Sequence, residues 1–246
     1  QNSDSSPSAG VIRSYGNARA VLNIINCDIY QNSSPNGDGG AIYWNGHGAD
    51  GTELRLNKSK IRQNYAGRDA GGLAVEGGFQ FLGGSSEVCN NVSDRNGGGF
   101  SIKSYNAAVT SSGHITINFN GYADIHDNRA ASGGGVSVQM ASSSLTEGES
   151  SYTIQVYHDA RIKDNVATSG NGGGIYFKCS LNKNIPVTFN IFERTDNGVR
   201  HIPQITGNHA DSGNGGGIYY EITESARKDI HSIFLNGGNI SGNYAK

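Results

Sequence analysis

The stretch that decides the fold is residues 162–177, which read IKDNVATSGNGGGIYF. It contains an aliphatic residue, two variable residues and Asn165, and then a glycine triplet followed by a short alternating apolar run. Both halves of this stretch recur along the chain. Self-similarity at a roughly constant period is the signature of a repeat architecture, so the repeat has to be read before any single element.

The aliphatic-x-x-Asn half occurs seven times, and successive asparagines are 32, 27, 37, 37, 43 and 35 residues apart. A constant unit interrupted by loops of variable length explains this spacing. An asparagine at the same position of every coil tolerates the positive φ of a turn and can pass amide hydrogen bonds along the stack. We therefore predict an asparagine ladder in such turns. Its members are Asn32, Asn64, Asn91, Asn128, Asn165, Asn208 and Asn243.

The glycine half opens a strand-like run of period two. Alignment of six copies predicts one inward column of Ile42, Leu73, Phe100, Val136, Ile175 and Ile218, and a second of Trp44, Val75, Ile102, Val138, Phe177 and Tyr220. A third alternating segment precedes each Asn motif, as in Ile154 and Val156. Apolar spacing of two excludes helices. The sequence predicts one all-β domain over 1–246, a parallel β-helix of about seven coils with three strands each.

Composition narrows the function classes. The chain has 246 residues, 37 of them Gly, and a net charge of -2, which lacks the basic surface of a nucleic-acid binder. The mean hydropathy of -0.48 and the lack of a long apolar run argue against a membrane span. Cys27, Cys89 and Cys179 show no metal-binding spacing. The sequence starts at Gln1 without an initiator Met, which favours an exported product, extracellular or at the cell surface.

The paired motifs, such as Gly39-Gly40-Ala41-Ile42 and Ile29-Tyr30-Gln31-Asn32, resemble those of polymorphic outer membrane proteins and autotransporter adhesins. They are similar more widely to the right-handed parallel β-helix, pectin-lyase-like group. The resemblance covers nearly the whole chain, although this chain has Ile or Val where the family usually has Phe. It implies a right-handed solenoid with a structural or adhesive role.

Many β-helices of that group cleave acidic polysaccharides, so catalytic fragments have to be considered. Gly46-His47-Gly48 and Arg161-Ile162-Lys163 stand in the order of two polygalacturonase motifs, but the aspartate motifs that accompany them are missing. The second fragment also coincides with the coil consensus. We assign no catalytic, cofactor-binding or metal-ligating residue. A polysaccharide lyase or hydrolase, with a groove at the insertions 140–151 and 192–203, remains the alternative.

Several acidic residues could hold a cation, but their spacing matches no calcium loop. They comprise the stacked pair Asp127 and Asp164 and the loop residues Asp38, Asp69, Asp94 and Asp211. Solvated turns are the favoured interpretation. Opposite charges on adjacent rungs predict the pairs Glu76 with Lys103 and Lys178 with Glu221.

Two surface features leave a binding role open. Tyr176 and Tyr219 are predicted neighbours on the outside of the coil, where aromatic rings could contact a cell-surface glycan. Asn57 and Asn239 stand in glycosylation sequons, and the sequence leaves their glycosylation undecided.

The two ends of the sequence complement each other. The last repeat stops just after its asparagine, and Ala9-Gly10-Val11-Ile12-Arg13 resembles the glycine corner and strand that would follow. One hypothesis is head-to-tail stacking of copies into an open filament, and the other is a piece of a longer surface rod. The predicted stacking interface consists of Val11, Ile12, Ile240, Asn243 and Tyr244.

Overall fold

The computed structural model describes residues 9–14, 21–45, 53–76, 78–81, 85–103, 114–141, 151–180, 185–223 and 231–246. The chain folds as a right-handed parallel β-helix in which four seven-stranded parallel sheets run along one solenoid. We call them sheets A, B, C and D, in the order in which the chain visits them. The predicted fold class is confirmed.

Sheets A and B follow the glycine corner of each coil. Sheet A consists of β1 (Ile12–Arg13), β5 (Ile42–Asn45), β9 (Leu73–Glu76), β13 (Phe100–Lys103), β17 (Val136–Met140), β21 (Ile175–Cys179) and β27 (Ile218–Ile222). Sheet B consists of β2 (Val21–Ile25), β6 (Glu53–Asn57), β10 (Gly78–Phe81), β14 (His114–Phe119), β18 (Ser151–Tyr157), β22 (Val187–Phe192) and β28 (His231–Asn236).

Sheets C and D lie on either side of the repeated asparagine. Sheet C consists of β3 (Asp28–Tyr30), β7 (Lys60–Arg62), β11 (Ser86–Cys89), β15 (Ala123–His126), β19 (Arg161–Lys163), β25 (Gln204–Thr206) and β29 (Asn239–Ser241). Sheet D consists of β4 (Ser33–Ser34), β8 (Tyr65–Ala66), β12 (Val92–Ser93), β16 (Arg129–Ala130), β20 (Val166–Ala167), β26 (His209–Ala210) and β30 (Tyr244–Ala245). A two-stranded hairpin, β23 (Arg194–Asp196) and β24 (Val199–His201), stands outside these sheets.

The strands stack in the predicted register. Ile42 lies beside Leu73, which lies beside Phe100, and the column continues through sheet A. These side chains belong to one apolar core that runs from Ile24 to Ile205. Aliphatic and aromatic side chains therefore pack along the axis as well as within each coil, and their burial is the main stabilising contribution.

The sequence predicted three strands per coil, and the structure has a fourth. The residue before each asparagine adopts the left-handed conformation, as at Gln63 with φ 57° and Asp127 with φ 53°. The chain turns there, and the two residues after the asparagine form the short strands of sheet D. Placing the positive φ at the asparagine itself was wrong, because the asparagine side chain points inward and its neighbour makes the turn.

The asparagines form a continuous hydrogen-bonded ladder. The backbone N–H and the side-chain amide of Asn91 both donate to Oδ1 of Asn128, each at 3.0 Å. Asn128 donates in the same way to Asn165, and its amide also reaches the carbonyl of Val88 at 2.9 Å. The same pattern repeats from Asn32 to Asn243. Buried polar groups near the turn of every coil are thereby satisfied.

The glycine corner is the closest approach between coils. A Cβ atom on Gly134 would lie 2.5 Å from the backbone N of Val166 and 2.6 Å from the carbonyl oxygen of Gly173. Such a contact has no room for a side chain. Gly172 has φ +70° and would place a Cβ 2.3 Å from the carbonyl of Ile175, so it needs glycine for a second reason.

The outward face of sheet A, on which Tyr176 and Tyr219 were predicted to contact a glycan, is largely covered. Tyr43, Ala74, Ser101 and Ser137 are all buried. The connection between the asparagine and the glycine corner folds back over this face, where Ala70 packs with Tyr43 and Ala74. Gly133 of the connection lies close to this face, since a Cβ atom on it would be 3.0 Å from the Cβ atom of Ser137.

Substituting Asn128 tests the ladder. Asn128→Ala removes the acceptor for two donors of Asn91 and the donor for Val88. Because each orphaned buried group costs about 1–3 kcal/mol, we expect a loss of roughly 2–5 kcal/mol in chemical denaturation. Asn32→Ala, at the partly buried first rung, is the matched control and should cost less. Equal losses in the two variants would contradict the ladder's role.

Candidate functional site

The first group of chemically active side chains lies on the outer face of sheet C. Glu87 and Cys89 lie on β11, and Cys89 pairs in register with His126 on β15. Oε1 of Glu87 is 2.9 Å from Nε2 of His126 and 3.3 Å from Sγ of Cys89. Lys60 contacts the other carboxylate oxygen at 2.7 Å, and Asp127 contacts Nδ1 of His126 at 2.6 Å. One carboxylate, one thiol and one imidazole therefore meet on two adjacent rungs.

Hydrogen bonds within this group raise the pKa of His126 and lower the pKa of Glu87. Cys89, Asp127 and Glu87 all raise the pKa of His126, which reaches about 10. Burial of Glu87 acts to raise the pKa of its carboxyl, but hydrogen bonds from Lys60, Cys89 and His126 outweigh it and lower the pKa to about 2. At neutral pH the group is an imidazolium and a carboxylate, and it stabilises the pairing of the two strands.

The second group forms where the hairpin of β23 and β24 meets the solenoid. Asn197 and Gly198, with φ 50° and 78°, make the two-residue turn of the hairpin. This turn places Asp196 and His201 beside the turn residue His158, which follows β18. Nε2 of His158 is 3.4 Å from Oδ2 of Asp196, and the two histidine rings stack at 5.2 Å. Two imidazoles and a carboxylate thus converge at the surface.

Charged neighbours hold this second group in place. Oδ2 of Asp159 is 2.6 Å from Nδ1 of His201. Arg194 donates to Oδ1 of Asp196 at 2.8 Å. Partial burial lowers the pKa of His158, so its imidazole is neutral at neutral pH. The arrangement places two imidazole rings beside one carboxylate group.

The aspartates considered for calcium have other partners. Asp38 and Asp69 are buried, and Nζ of Lys103 lies 3.7 Å from the first carboxylate and 2.5 Å from the second. A lysine ammonium therefore already provides the positive charge between them. Asp94 accepts a hydrogen bond from the Tyr65 hydroxyl at 2.7 Å.

Two more of the predicted turn aspartates, and one of the two predicted charge pairs, can also be placed. Asp127 contacts His126, and Asp211 lies 3.9 Å from His209. The predicted pair of Lys178 with Glu221 is confirmed at 3.0 Å.

The two tyrosines considered for glycan contact stack on each other at 5.9 Å. Only 8 % of Tyr176 is exposed, so its predicted exposure was wrong. Its ring stacks on Tyr219, which is only partly buried, and its hydroxyl donates to Glu221 at 3.3 Å. Tyr176 also lines a hollow of about 290 Å³. Its lining consists of Asn96, Gln139, Met140, Ala141, Tyr176, Lys178 and Ser180. Glycan contact remains a prediction.

The second polygalacturonase-like fragment, Arg161-Ile162-Lys163, forms β19 of sheet C. Ile162 is buried in the core, and Arg161 and Lys163 both face Asp124, at 3.6 and 3.7 Å. This arrangement is that of a cross-strand ion pair. Gly46-His47-Gly48 and most of the insertion 140–151 lie outside the described residues.

The residues predicted for stacking lie at the two end faces of the solenoid. Ile12 pairs with Ile42, so this segment is the first strand of sheet A, and Val11 beside it is exposed. Ile240, Asn243 and Tyr244 lie in the last rung of sheets C and D, where Ile240 and Tyr244 are exposed.

Sequence reasoning missed both side-chain groups. Asp196-Asn197-Gly198 carries the strongest short hairpin signal in the insertion 192–203, and it could have located the second group. Alignment of the Asn motifs places Cys89 beside His126 and could have located the first group, although Glu87 and His126 are 39 residues apart in the sequence.

Comparison of the chain with family models, with curated proteins and with solved structures finds no match. Among the described residues, no helix has the length and apolar character that crossing a membrane requires.

The pH dependence of stability tests the sheet C group. The folded pKa of His126 is raised from 6.5 to about 10, so its stabilisation is complete below pH 6.5 and is lost as the pH rises through 10. We expect His126→Gln to lower the free energy of unfolding by on the order of 2 kcal/mol near neutral pH. The difference from wild type should shrink at high pH.

Chemical denaturation of both proteins across this range provides the measurement. His209→Gln is the control, because His209 lies on sheet D outside the group. A difference between His126→Gln and wild type that does not change with pH would contradict the assignment.

Proposed function

We propose that the chain is a non-enzymatic structural β-helix of the cell surface or extracellular space, adhesive in character, whose copies stack head to tail into a filament. The observation that carries the proposal is the apolar end face of the last coil. Ile233 and Leu235 are 50 % and 61 % exposed there, whereas the equivalent side chains of the preceding coil, Phe189 and Ile191, are buried. Exposed core side chains at a strand edge favour pairing with another coil.

The first coil has the complementary pattern. Continued in register, Leu22 of a second copy would lie on Ile233 of the first, and Ile29 would lie on Ile240, as their columns already align within one chain. The asparagine ladder would continue as well, because Asn243 occupies the rung that would donate to Asn32 of the next copy. Such a contact would repeat the strand pairing found between coils of one chain. It is heterologous and does not close, so it would give an open filament.

The resemblance of the motifs to polymorphic outer membrane proteins and autotransporter adhesins supports the extracellular and adhesive part of the proposal. The hollow that Tyr176, Gln139 and Lys178 line is the candidate contact for a surface glycan. Neighbouring coils of a longer chain are the alternative cover for the end faces.

A polysaccharide-active enzyme is the alternative function. The observation that favours it is the convergence of Asp159, Asp196 and Arg194 at the insertion 192–203. Release of reducing ends or unsaturated products from acidic polysaccharides, abolished by Asp196→Asn, would support this alternative over a purely structural role.

A pair of cysteines tests head-to-tail stacking. In the proposed stack, Tyr30 of one copy lies beside Ser241 of the next, about 4.8 Å away, which suits a disulfide. Within one copy the two positions are separated by six rungs, about 29 Å. We expect Tyr30→Cys with Ser241→Cys, in a Cys27→Ser background, to form a reducible ladder of covalent multimers.

The matched control combines Tyr30→Cys with Val199→Cys, since Val199 is 57 % exposed but lies on the hairpin. Electron microscopy of wild type should show filaments with an axial repeat of about 34 Å, from seven rungs. A monomeric mass at every concentration, with cross-linking no greater than in the control, would contradict self-stacking.

A further inference from the structure

The hairpin of β23 and β24 is an insertion between the sixth strands of sheets B and C that folds back onto the solenoid. Asp196 lies opposite Val199, and Arg194 lies opposite His201, so Asp196 and His201 share one face of the hairpin. That face contacts the turn after β18, where His158 has φ 58°. The hairpin register and this turn together bring the three side chains to one point.

The geometry of the donors suits a small cation. One ligand atom from each of His158, Asp196 and His201 lies within 4.8 Å of the other two. Around zinc, with bonds of about 2.0–2.2 Å, donor atoms are roughly 3.3 Å apart. Since all three residues are only partly buried, small side-chain rotations can bring the donor atoms from within 4.8 Å to the separation that zinc requires.

The neighbours leave suitable atoms for coordination. Nδ1 of His201 is engaged by Asp159, which directs Nε2 as the donor. A carboxylate that holds the second nitrogen of a metal-binding histidine is a recurring arrangement. Arg194 occupies Oδ1 of Asp196, whereas Oδ2 faces His158.

The sheet C group does not share these properties. Oε2 of Glu87 is bound to Lys60, and Oε1 contacts both Cys89 and His126. Its donor atoms are already paired in a cross-strand network, and Cys89 is buried. The hairpin group is the better candidate.

We propose that His158, Asp196 and His201 bind a divalent transition-metal ion of the zinc class, with Asp159 as a positioning residue. Two imidazoles and one carboxylate match the ligand preference of zinc, whereas calcium and magnesium prefer oxygen ligands. Three protein ligands leave a coordination position for water or for a bound molecule. The ion fastens the hairpin to the turn after β18.

The test uses the full chain after treatment with a chelator. Titration with Zn²⁺ by calorimetry should show one high-affinity equivalent, and Co²⁺ should give visible d–d bands without a thiolate charge-transfer band. His158→Asn keeps a residue that tolerates the positive φ at this turn. It and Asp196→Asn should each weaken binding by at least about 10-fold, and Asp159→Asn by about 10–100-fold.

Two controls and a structural readout make the result decisive. Cys89→Ser and His209→Gln should leave Zn²⁺ affinity unchanged, and thermal melts verify that every variant is folded. Zn²⁺ should also slow trypsin cleavage at Arg194 and Arg200 in wild type but not in His158→Asn. No high-affinity equivalent in wild type, binding that persists in His158→Asn and Asp196→Asn, or binding lost in Cys89→Ser would each overturn the proposal.

Discussion

The spacing of about 4.8 Å between paired strands is the constraint on which the rest of the structure depends. Each coil has to follow the backbone of its neighbour at that distance over nearly its whole circumference. At the glycine corners no atom beyond the backbone fits, as the contact of Gly134 with Val166 shows. The glycine corners are therefore a consequence of the spacing, and the high glycine content is a consequence of the corners.

The same spacing explains why the interior contains polar residues. The turn between sheets C and D leaves backbone groups that no strand satisfies. The asparagine at this turn reaches both the next asparagine and a carbonyl of the preceding coil. Identical side chains one rung apart can bond to one another indefinitely. The ladder therefore supplies specificity of register, whereas the apolar columns supply most of the stabilisation.

Both groups of chemically active side chains lie where the sequence departs from the repeat. The column that carries Arg62 and Lys163 in sheet C has Cys89 and His126 on two rungs, and the resulting network ties those rungs together. The insertion after β22 forms a hairpin that returns to the solenoid and brings two histidines and an aspartate together. A filament-forming rod with such a hairpin would repeat the proposed metal site once per copy along its length.

The sequence by itself determined the β-helix, its apolar columns and the membership of the asparagine ladder, because a period of two and a repeated motif constrain local geometry directly. Only the tertiary structure decided which outward side chains are covered, as at Tyr176, of which 8 % is exposed. It also decided the two side-chain groups, since Glu87 and His126, or His158 and His201, become neighbours through strand register and loop packing. The repeat places residues about 40 positions apart on adjacent rungs, but the side-chain contacts between them and the packing of the hairpin are set by the three-dimensional structure.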